Sequence, residues 1–272
     1  MTAAPAPTGA APHVPAATGG PDPAVTAALA AGRLLVVIPA HNEEESLGPT
    51  IASIRCELPG VRIVVISDFS TDRTTKVAAE CGVDVVDLPC NLGYGGAVQT
   101  GFKYALAQGY EYIIQMDADG QHDPKSAAGL FAPVARGEAD VAIGSRFTGH
   151  ANYPIPLPRR LGMAVFGAIV TFVTRKTFSD PTSGFQAMNS KVLRFFARDN
   201  YPSDFPDADT IILLVLAGFR VVEVPVVMQA RTAGTSMHSN LKAFYYVSKM
   251  MLSILMVLLR RKVLRMPIEP TR

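Results

Sequence analysis

Tryptophan is absent, and cysteine occurs only three times in 272 residues. Cys56, Cys81 and Cys90 are an odd number, and their spacing matches neither a disulfide framework nor a zinc ribbon. They are expected to be reduced thiols at core positions. A chain of this length buries enough core as one large α/β domain with appendages, or as two small domains, to need no crosslinks. Charge of one sign is also lacking. The formal net charge is +2, so no global basic field points to nucleic acid. No apolar run reaches the roughly 18 residues of a membrane-spanning helix. Residues 1–32 are mostly Ala, Pro, Gly and Thr, without a basic leader or sustained apolar stretch. They read as a disordered arm rather than a signal peptide, and the chain is expected to face the cytoplasm.

What is present is an alternation. Leu34 to Pro39 is a continuous apolar run, followed by a helical pattern through Ile51, Ile54 and Leu58. The pattern returns at Val61 to Ser67 with a helix from about Thr71, at Val83 to Leu88 with a helix from about Gly95, and at Tyr112 to Met116 with a helix from about Asp123. Four such units in succession predict a mostly parallel sheet covered by helices on both faces. A fifth strand, Asp140 to Ser145, ends in Arg146, and beyond it the alternation breaks down.

In a sheet of this kind ligands bind where the loops converge at the carboxyl ends of the strands. The chemically loaded residues sit there: His41-Asn42-Glu43, Asp68, Asn91-Leu92-Gly93 and Asp117-Ala118-Asp119. Asp117 and Asp119, one residue apart at the end of an extended strand, are expected to point to the same side. Two hard oxygen donors beside a diphosphate suit Mg²⁺ or Mn²⁺. Asp123-Pro124 reads as a helix N-cap with proline at the first helical position.

Two apolar segments stand outside the alternation. Leu161 to Val173, flanked by Arg159-Arg160 and Arg175-Lys176, would reach about 20 Å as a helix, too short to span. It reads either as a core helix or as one lying in a membrane interface. Ala243 to Leu259 is a broad apolar cylinder on which Lys242, Lys249, Ser253 and Arg260 fall within about 20° of one line. Seven basic residues and one acid lie between Leu241 and Arg272. This segment fits a helix in the plane of an anionic membrane, with docking on the domain or on a partner as the alternative.

The chain resembles the family 2 glycosyltransferases of GT-A fold, and within them the polyprenyl-phosphate (dolichol-phosphate) mannosyltransferase group. The motifs that carry this are Val36-Val37-Ile38-Pro39-Ala40-His41-Asn42-Glu43-Glu44, Asp68-Phe69-Ser70-Thr71-Asp72, Asn91-Leu92-Gly93-Tyr94-Gly95, Asp117-Ala118-Asp119-Gly120-Gln121-His122-Asp123-Pro124, Gly144-Ser145-Arg146, Ser183-Gly184-Phe185 and Arg231-Thr232-Ala233-Gly234-Thr235-Ser236. The resemblance implies a Rossmann-like GT-A domain over residues 33–236, preceded by the arm at 1–32 and followed by a basic amphipathic membrane-associating helix and tail at 237–272. It implies sugar transfer, with inversion, from a nucleotide-diphosphate donor to a polyprenyl phosphate or other lipid acceptor. Pro39, His41, Glu43, Ile66 and Asp68 would hold the nucleoside. Asp117 and Ala118 would line the donor, Asp119 and Gln121 with Asp117 would bind Mg²⁺ or Mn²⁺, and Arg146 and Arg231 would meet the phosphates. Asp209, or Asp207 beside it, stands where a catalytic acid or base is found in many members.

Three positions depart from the family pattern: Ser67 replaces an acid, Phe69 a glycine and Met237 a basic residue, with His238 next to it. A catalytically silent nucleotide-sugar-binding subunit therefore stands as an alternative, and a transferase acting on a soluble acceptor, with the C-terminal helix serving a partner, is another. Association with a second copy or a membrane partner protein is left open. A dinucleotide-binding oxidoreductase is disfavoured, since no G-x-G-x-x-G opens the first helix.

Overall fold

A computed structural model of the chain describes residues 22–147, 157–198 (side chains from 166 onward), 201–202, 208–229, 251–257 and 259. Its helices are α1 (Pro23–Ala30), α2 (Leu47–Glu57), α3 (Thr74–Glu80), α4 (Gly93–Ala107), α5 (Ala127–Ala135), α6 (Leu157–Thr174), α7 (Ser190–Phe196) and α8 (Ala208–Leu216). Its strands are β1 (Leu34–Ala40), β2 (Arg62–Ser67), β3 (Asp84–Asp87), β4 (Tyr112–Gln115), β5 (Val141–Ser145), β6 (Gln186–Asn189) and β7 (Val221–Pro225). They form one seven-stranded sheet in the order β3-β2-β1-β4-β6-β5-β7.

β1, β2, β3 and β4 pair in parallel, as their apolar runs predict, and β5 pairs in parallel with β7. β6 runs antiparallel between β4 and β5. β1 is buried along its whole length because helices cover both faces. One core holds Val37, Phe102, Phe196 and Ile212 beneath α4, α6, α7 and α8. The other holds Ile38, Ile51, Leu130 and Phe131 beneath α1, α2 and α5. α4 lies close on β1, and a Cβ at Gly101 would come within 2.3 Å of Val37 Cγ1.

Two expectations are corrected. Residues 23–30, assigned to the disordered arm, form α1: Asp22 caps it by accepting from Ala24 N at 2.8 Å, Pro23 occupies its first turn, and Val25 and Ala28 are buried in the core it shares with α5. A helix of eight residues is marginal alone, and this docking is what stabilises it. The cysteines are free, as expected, but Cys56 and Cys90 are exposed and Cys81 is half-buried, so none occupies the deep core.

α6 runs 18 residues and packs against α8, with Phe166 and Val170 buried in the core the two helices share, while Phe172 is 77% exposed. Among the described residues no helix is long and apolar enough to cross a membrane. Residues 251–257 are helical; Ile254 is buried, and Met251, Leu252, Leu255 and Met256 are exposed.

Candidate active site

β1 lies between β2 and β4, so the loops leaving the carboxyl ends of all three are neighbours. The first two are stitched together by hydrogen bonds. His41 Nδ1 lies 2.7 Å from the Asp68 carbonyl, which requires the proton on Nδ1. Asn42, in the left-handed region at φ 56°, accepts from Thr71 N at 2.8 Å. Glu43 N donates to Thr74 Oγ1 at 2.8 Å, and the Glu43 carboxylate accepts from Ser46 Oγ at 2.6 Å. Asp68 is buried, and its Oδ1 accepts from Leu92 N at 2.7 Å, fastening the loop before α4 to the end of β2. Phe69 follows at φ 55° with its ring 49% exposed, in the conformation that suits the glycine it replaces. Pro39 and Ile66 are paired partners inside the sheet. Ile66 is fully buried beneath α4 and does not meet solvent.

β4 ends at Gln115, so Asp117 and Asp119 lie in the turn that follows it and not on the strand itself. Tyr94, in the first turn of α4, donates its hydroxyl to Asp117 Oδ1 at 2.7 Å, and Gln115 Nε2 donates to that hydroxyl at 3.0 Å. Asp117 N donates to His122 Nδ1 at 3.0 Å, which leaves the His122 proton on Nε2, 3.5 Å from Asp117 Oδ2. The imidazole stacks on Phe185, with centroids 4.8 Å apart. Burial, and then the Asp117 carboxylate beside it, push the Tyr94 phenol well above its ordinary pKa, so it remains a donor. Asp119 Oδ1 accepts from Gln121 N at 3.0 Å across a turn in which Gly120 takes φ 75°. Asp123 caps the following 3₁₀ turn by accepting from Lys125 N at 3.1 Å, with Pro124 at its start, as the sequence predicts.

The donor set fits a hard divalent cation. Asp119 and Gln121 are half-exposed at the loop tip, and Asp117 is half-exposed beside them. Among the described residues no three His, Cys, Asp or Glu side chains converge. An ion here would rest on carboxylate and amide oxygens together with the oxygens of its ligand.

Arg146 is found in a different setting. Its Nε and Nη2 donate to Asp180 Oδ2 and Oδ1 at 2.6 and 2.7 Å, with Asp180 fully buried. The fork assigned by sequence to a phosphate is engaged by this acid. Buried Glu223 supports the pair, accepting from Ser179 N and Asp180 N at 2.9 Å each. Burial and then the neighbouring Asp180 hold the Glu223 carboxyl above its ordinary pKa, against the donors that favour its charge.

Asp209 is buried in the first turn of α8, where it accepts from Thr210 N at 2.8 Å and from the hydroxyl of Ser253. Ser253, placed by helical phase on a polar stripe, thus faces the domain, and the exposed side of that helix is apolar. Arg231, Asp207, Met237 and His238 lie outside the described residues. The chain approaching Arg231 does reach the acidic loop: His122 and Met228 form a β-bridge, and Gln229 N donates to Gln121 O at 2.8 Å.

The roles of Tyr94, Gln115 and Gly184 are not legible in sequence, although Tyr94 and Gly184 stand within the Asn-Leu-Gly-Tyr-Gly and Ser-Gly-Phe motifs. Comparison with known proteins bears on what this edge does. Residues 35–196 match the family described as Glycosyl transferase family 2. The chain is 31% identical over 216 residues to the undecaprenyl-phosphate mannosyltransferase of Micrococcus luteus, covering 76% of this chain and 88% of that one. It is 33% identical over 218 residues to the polyprenol monophosphomannose synthase of Mycolicibacterium smegmatis, covering 76% and 82%. The crystal structure of glucosyl-3-phosphoglycerate synthase from Mycobacterium tuberculosis, in complex with Mn²⁺ and UDP-glucose, superposes with a TM-score of 0.64 at 20% identity, covering 90% of this chain and 85% of that one. That likeness establishes the GT-A fold.

Proposed function

The chain belongs to glycosyl transferase family 2, and from that premise we propose that it transfers a hexose, with inversion, from a nucleotide-diphosphate sugar to a polyprenyl phosphate at the cytoplasmic face of a membrane. The observation that carries the reading is the convergence on one sheet edge of the His41 and Asp68 loops with the acidic turn at Asp117 to Gln121. The names of the two relatives favour a polyprenyl phosphate acceptor and mannose as the sugar.

The Asp68 region and His41 hold the nucleoside, and Asp117 faces the donor. Asp119 and Gln121, with Asp117, hold Mg²⁺ or Mn²⁺, which when bound neutralises charge on the departing diphosphate. Gln229 meets the acidic loop, and Arg231, two residues later in the sequence, is the planar cation assigned to the phosphates in this reading. A phosphate oxygen is already anionic, so its attack needs no strong base. The setting of Asp209 accords with this, since its carboxylate is buried and accepts from the backbone and from Ser253. The apolar outer face of residues 251–257 and exposed Phe172 supply surface for the membrane, and the basic C-terminal tail supplies attraction to anionic lipid.

The test is transfer from nucleotide-activated mannose and glucose to a polyprenyl phosphate in anionic vesicles, with Mn²⁺, Mg²⁺ or chelator. Metal-dependent labelling of the lipid phosphate, and none of the corresponding polyprenol, is expected. Equal labelling of a soluble hydroxyl acceptor would overturn the choice of acceptor.

A further inference from the structure

Two buried polar atoms, Oε1 of Gln115 at the end of β4 and Oγ of Ser183 next to Gly184, have no hydrogen-bond partner among the described residues. Natural interiors rarely leave such atoms unmatched without a purpose. Gln115 and the glycine that follows Ser183 border a small cradle. Gln115 Nε2 points at the Tyr94 hydroxyl from one side, and Gly184, next to Ser183, faces it from the other. A Cβ built on Gly184 would come within 2.8 Å of that hydroxyl, a contact real Cβ atoms do not make, whereas the next nearest atoms, Asp117 Oδ2 and Gln115 Nε2, are both at 3.7 Å. The missing side chain at 184 therefore makes room for one oxygen atom. That oxygen holds Asp117 Oδ1, and His122, fixed by Asp117 N and by its stacking on Phe185, faces Oδ2.

We infer that Tyr94 is a positioning residue for the transfer site: its hydroxyl, seated in the space that Gly184 leaves, fixes the orientation in which Asp117 meets the donor. The inference rests on the proposed transfer reaction for its consequence, but its geometry is independent of it. A carboxylate bonded at Oδ1 by the Tyr94 hydroxyl, with the His122 ring 3.5 Å from Oδ2, is restrained from swinging as the donor enters and leaves, and displacement by about 1 Å at such a point costs on the order of a hundredfold in rate. Tyr94 touches neither acceptor nor leaving group and acts through Asp117.

The experiment is a double-mutant cycle in the full chain with Tyr94→Phe, Gly184→Ala and the pair, read in two ways. On ligand-free protein, Gly184→Ala lowers the thermal midpoint in the parent background and leaves it unchanged in the Tyr94→Phe background, where the hydroxyl is gone and the remaining neighbours are at van der Waals distance. In metal-dependent release of nucleoside diphosphate, each single variant loses about tenfold or more in kcat while donor KM moves less than about threefold, and the double variant is no worse than the poorer single one. Additive losses of stability overturn the cradle. A Tyr94→Phe enzyme with parental kcat overturns the positioning role. A parent protein that turns over no nucleotide sugar, with a coupled stability cycle, overturns the proposed reaction and leaves the cradle standing.

Discussion

Arg146 and Asp180 meet as two parallel hydrogen bonds of 2.6 and 2.7 Å, with the acid fully buried and the guanidinium nearly so. Thr182 Oγ1 accepts from the same guanidinium at 3.2 Å, and Arg146 N donates to Asp180 Oδ2 at 3.1 Å, so one acid gathers both the backbone and the side chain after β5. Removing one member of such a pair strands the other. Asp180→Ala should therefore cost about 3–5 kcal/mol in chemical denaturation. Arg146→Lys, which keeps the charge but breaks the fork, should cost less, about 1–2 kcal/mol. A loss under about 1 kcal/mol for Asp180→Ala would show that the pair is not structural.

Asp119→Asn should abolish transfer with the thermal midpoint unchanged. Asp119 lies at a half-exposed loop tip and packs no core, so the change removes a charged oxygen donor and little else. Turnover is to be followed across a Mn²⁺ titration, and near-parental rates at limiting metal would remove Asp119 from the metal site.

A pH-dependent contribution to stability is built in at Asp140. It joins three strands: its carboxylate accepts from Arg220 N at 2.9 Å and Arg220 Nη2 at 3.0 Å, and from Asn189 Nδ2 at 2.9 Å. Burial opposes its ionisation, yet the bonds from Arg220 and Asn189 hold its pKa below the ordinary 3.8. A depressed carboxylate adds stability that is complete above its unfolded pKa and fades as pH falls through the folded one. Arg220 is half-exposed, so the contribution is screened. Asp140→Asn should cost about 1–2 kcal/mol between pH 5 and 7, and the gap to the parent should narrow only below about pH 4. A gap that stays constant to about pH 2.5 would assign the loss to packing.

Phe69→Gly should stabilise the protein. The left-handed conformation costs a side-chain-bearing residue about 1–2 kcal/mol, and glycine returns about half of that as unfolded-chain entropy. With the ring 49% exposed, little burial is lost. A gain of about 0.5–1 kcal/mol in urea denaturation is expected, and a loss would mean that the ring packs on something essential.

The two sides of the 251–257 helix should respond differently to substitution. Leu252 and Leu255 are 58% and 50% exposed, so Leu252→Glu or Leu255→Glu should change stability by less than about 0.5 kcal/mol while weakening binding to anionic vesicles. Ile254 is 3% exposed, and Ile254→Ala should cost about 2 kcal/mol or more. Unchanged vesicle binding by Leu255→Glu would remove this face from the membrane contact.

β1, β2 and β4 were legible because each carries a core of apolar residues buried on both faces, and the carboxyl-end loops followed from them. β6 was not, since Gln186-Ala187-Met188-Asn189 has neither a β-branched run nor alternation and is a strand only because β4 and β5 pair with it on either side. β7 hides a buried acid, Glu223, whose partners at Ser179 and Asp180 are more than 40 residues away. The acidic turn was readable by residue type. The grip on Asp117 was not, because Tyr94 stands 23 residues earlier and reaches it only after α4 has packed on the sheet. Arg146 illustrates the same limit: sequence supplies the guanidinium but not the partner it meets in the fold.

The antiparallel insertion of β6 also sets the order in which the molecule can be finished on the ribosome. β1 to β4 can pair as they emerge, but β4 then has an open edge, with unpaired amides, until Gln186 to Asn189 arrive. At about 5–20 residues per second, the roughly 70 residues between the acidic turn and β6 take about 4–14 seconds to synthesise. During that interval the nascent chain already displays the loops of His41 and Asp68 while Gly184, Phe185 and β7 are still missing. Translational pausing between β5 and β6 would prolong the life of this half-sheet, so codon usage across that stretch bears on how much of the protein is completed intact.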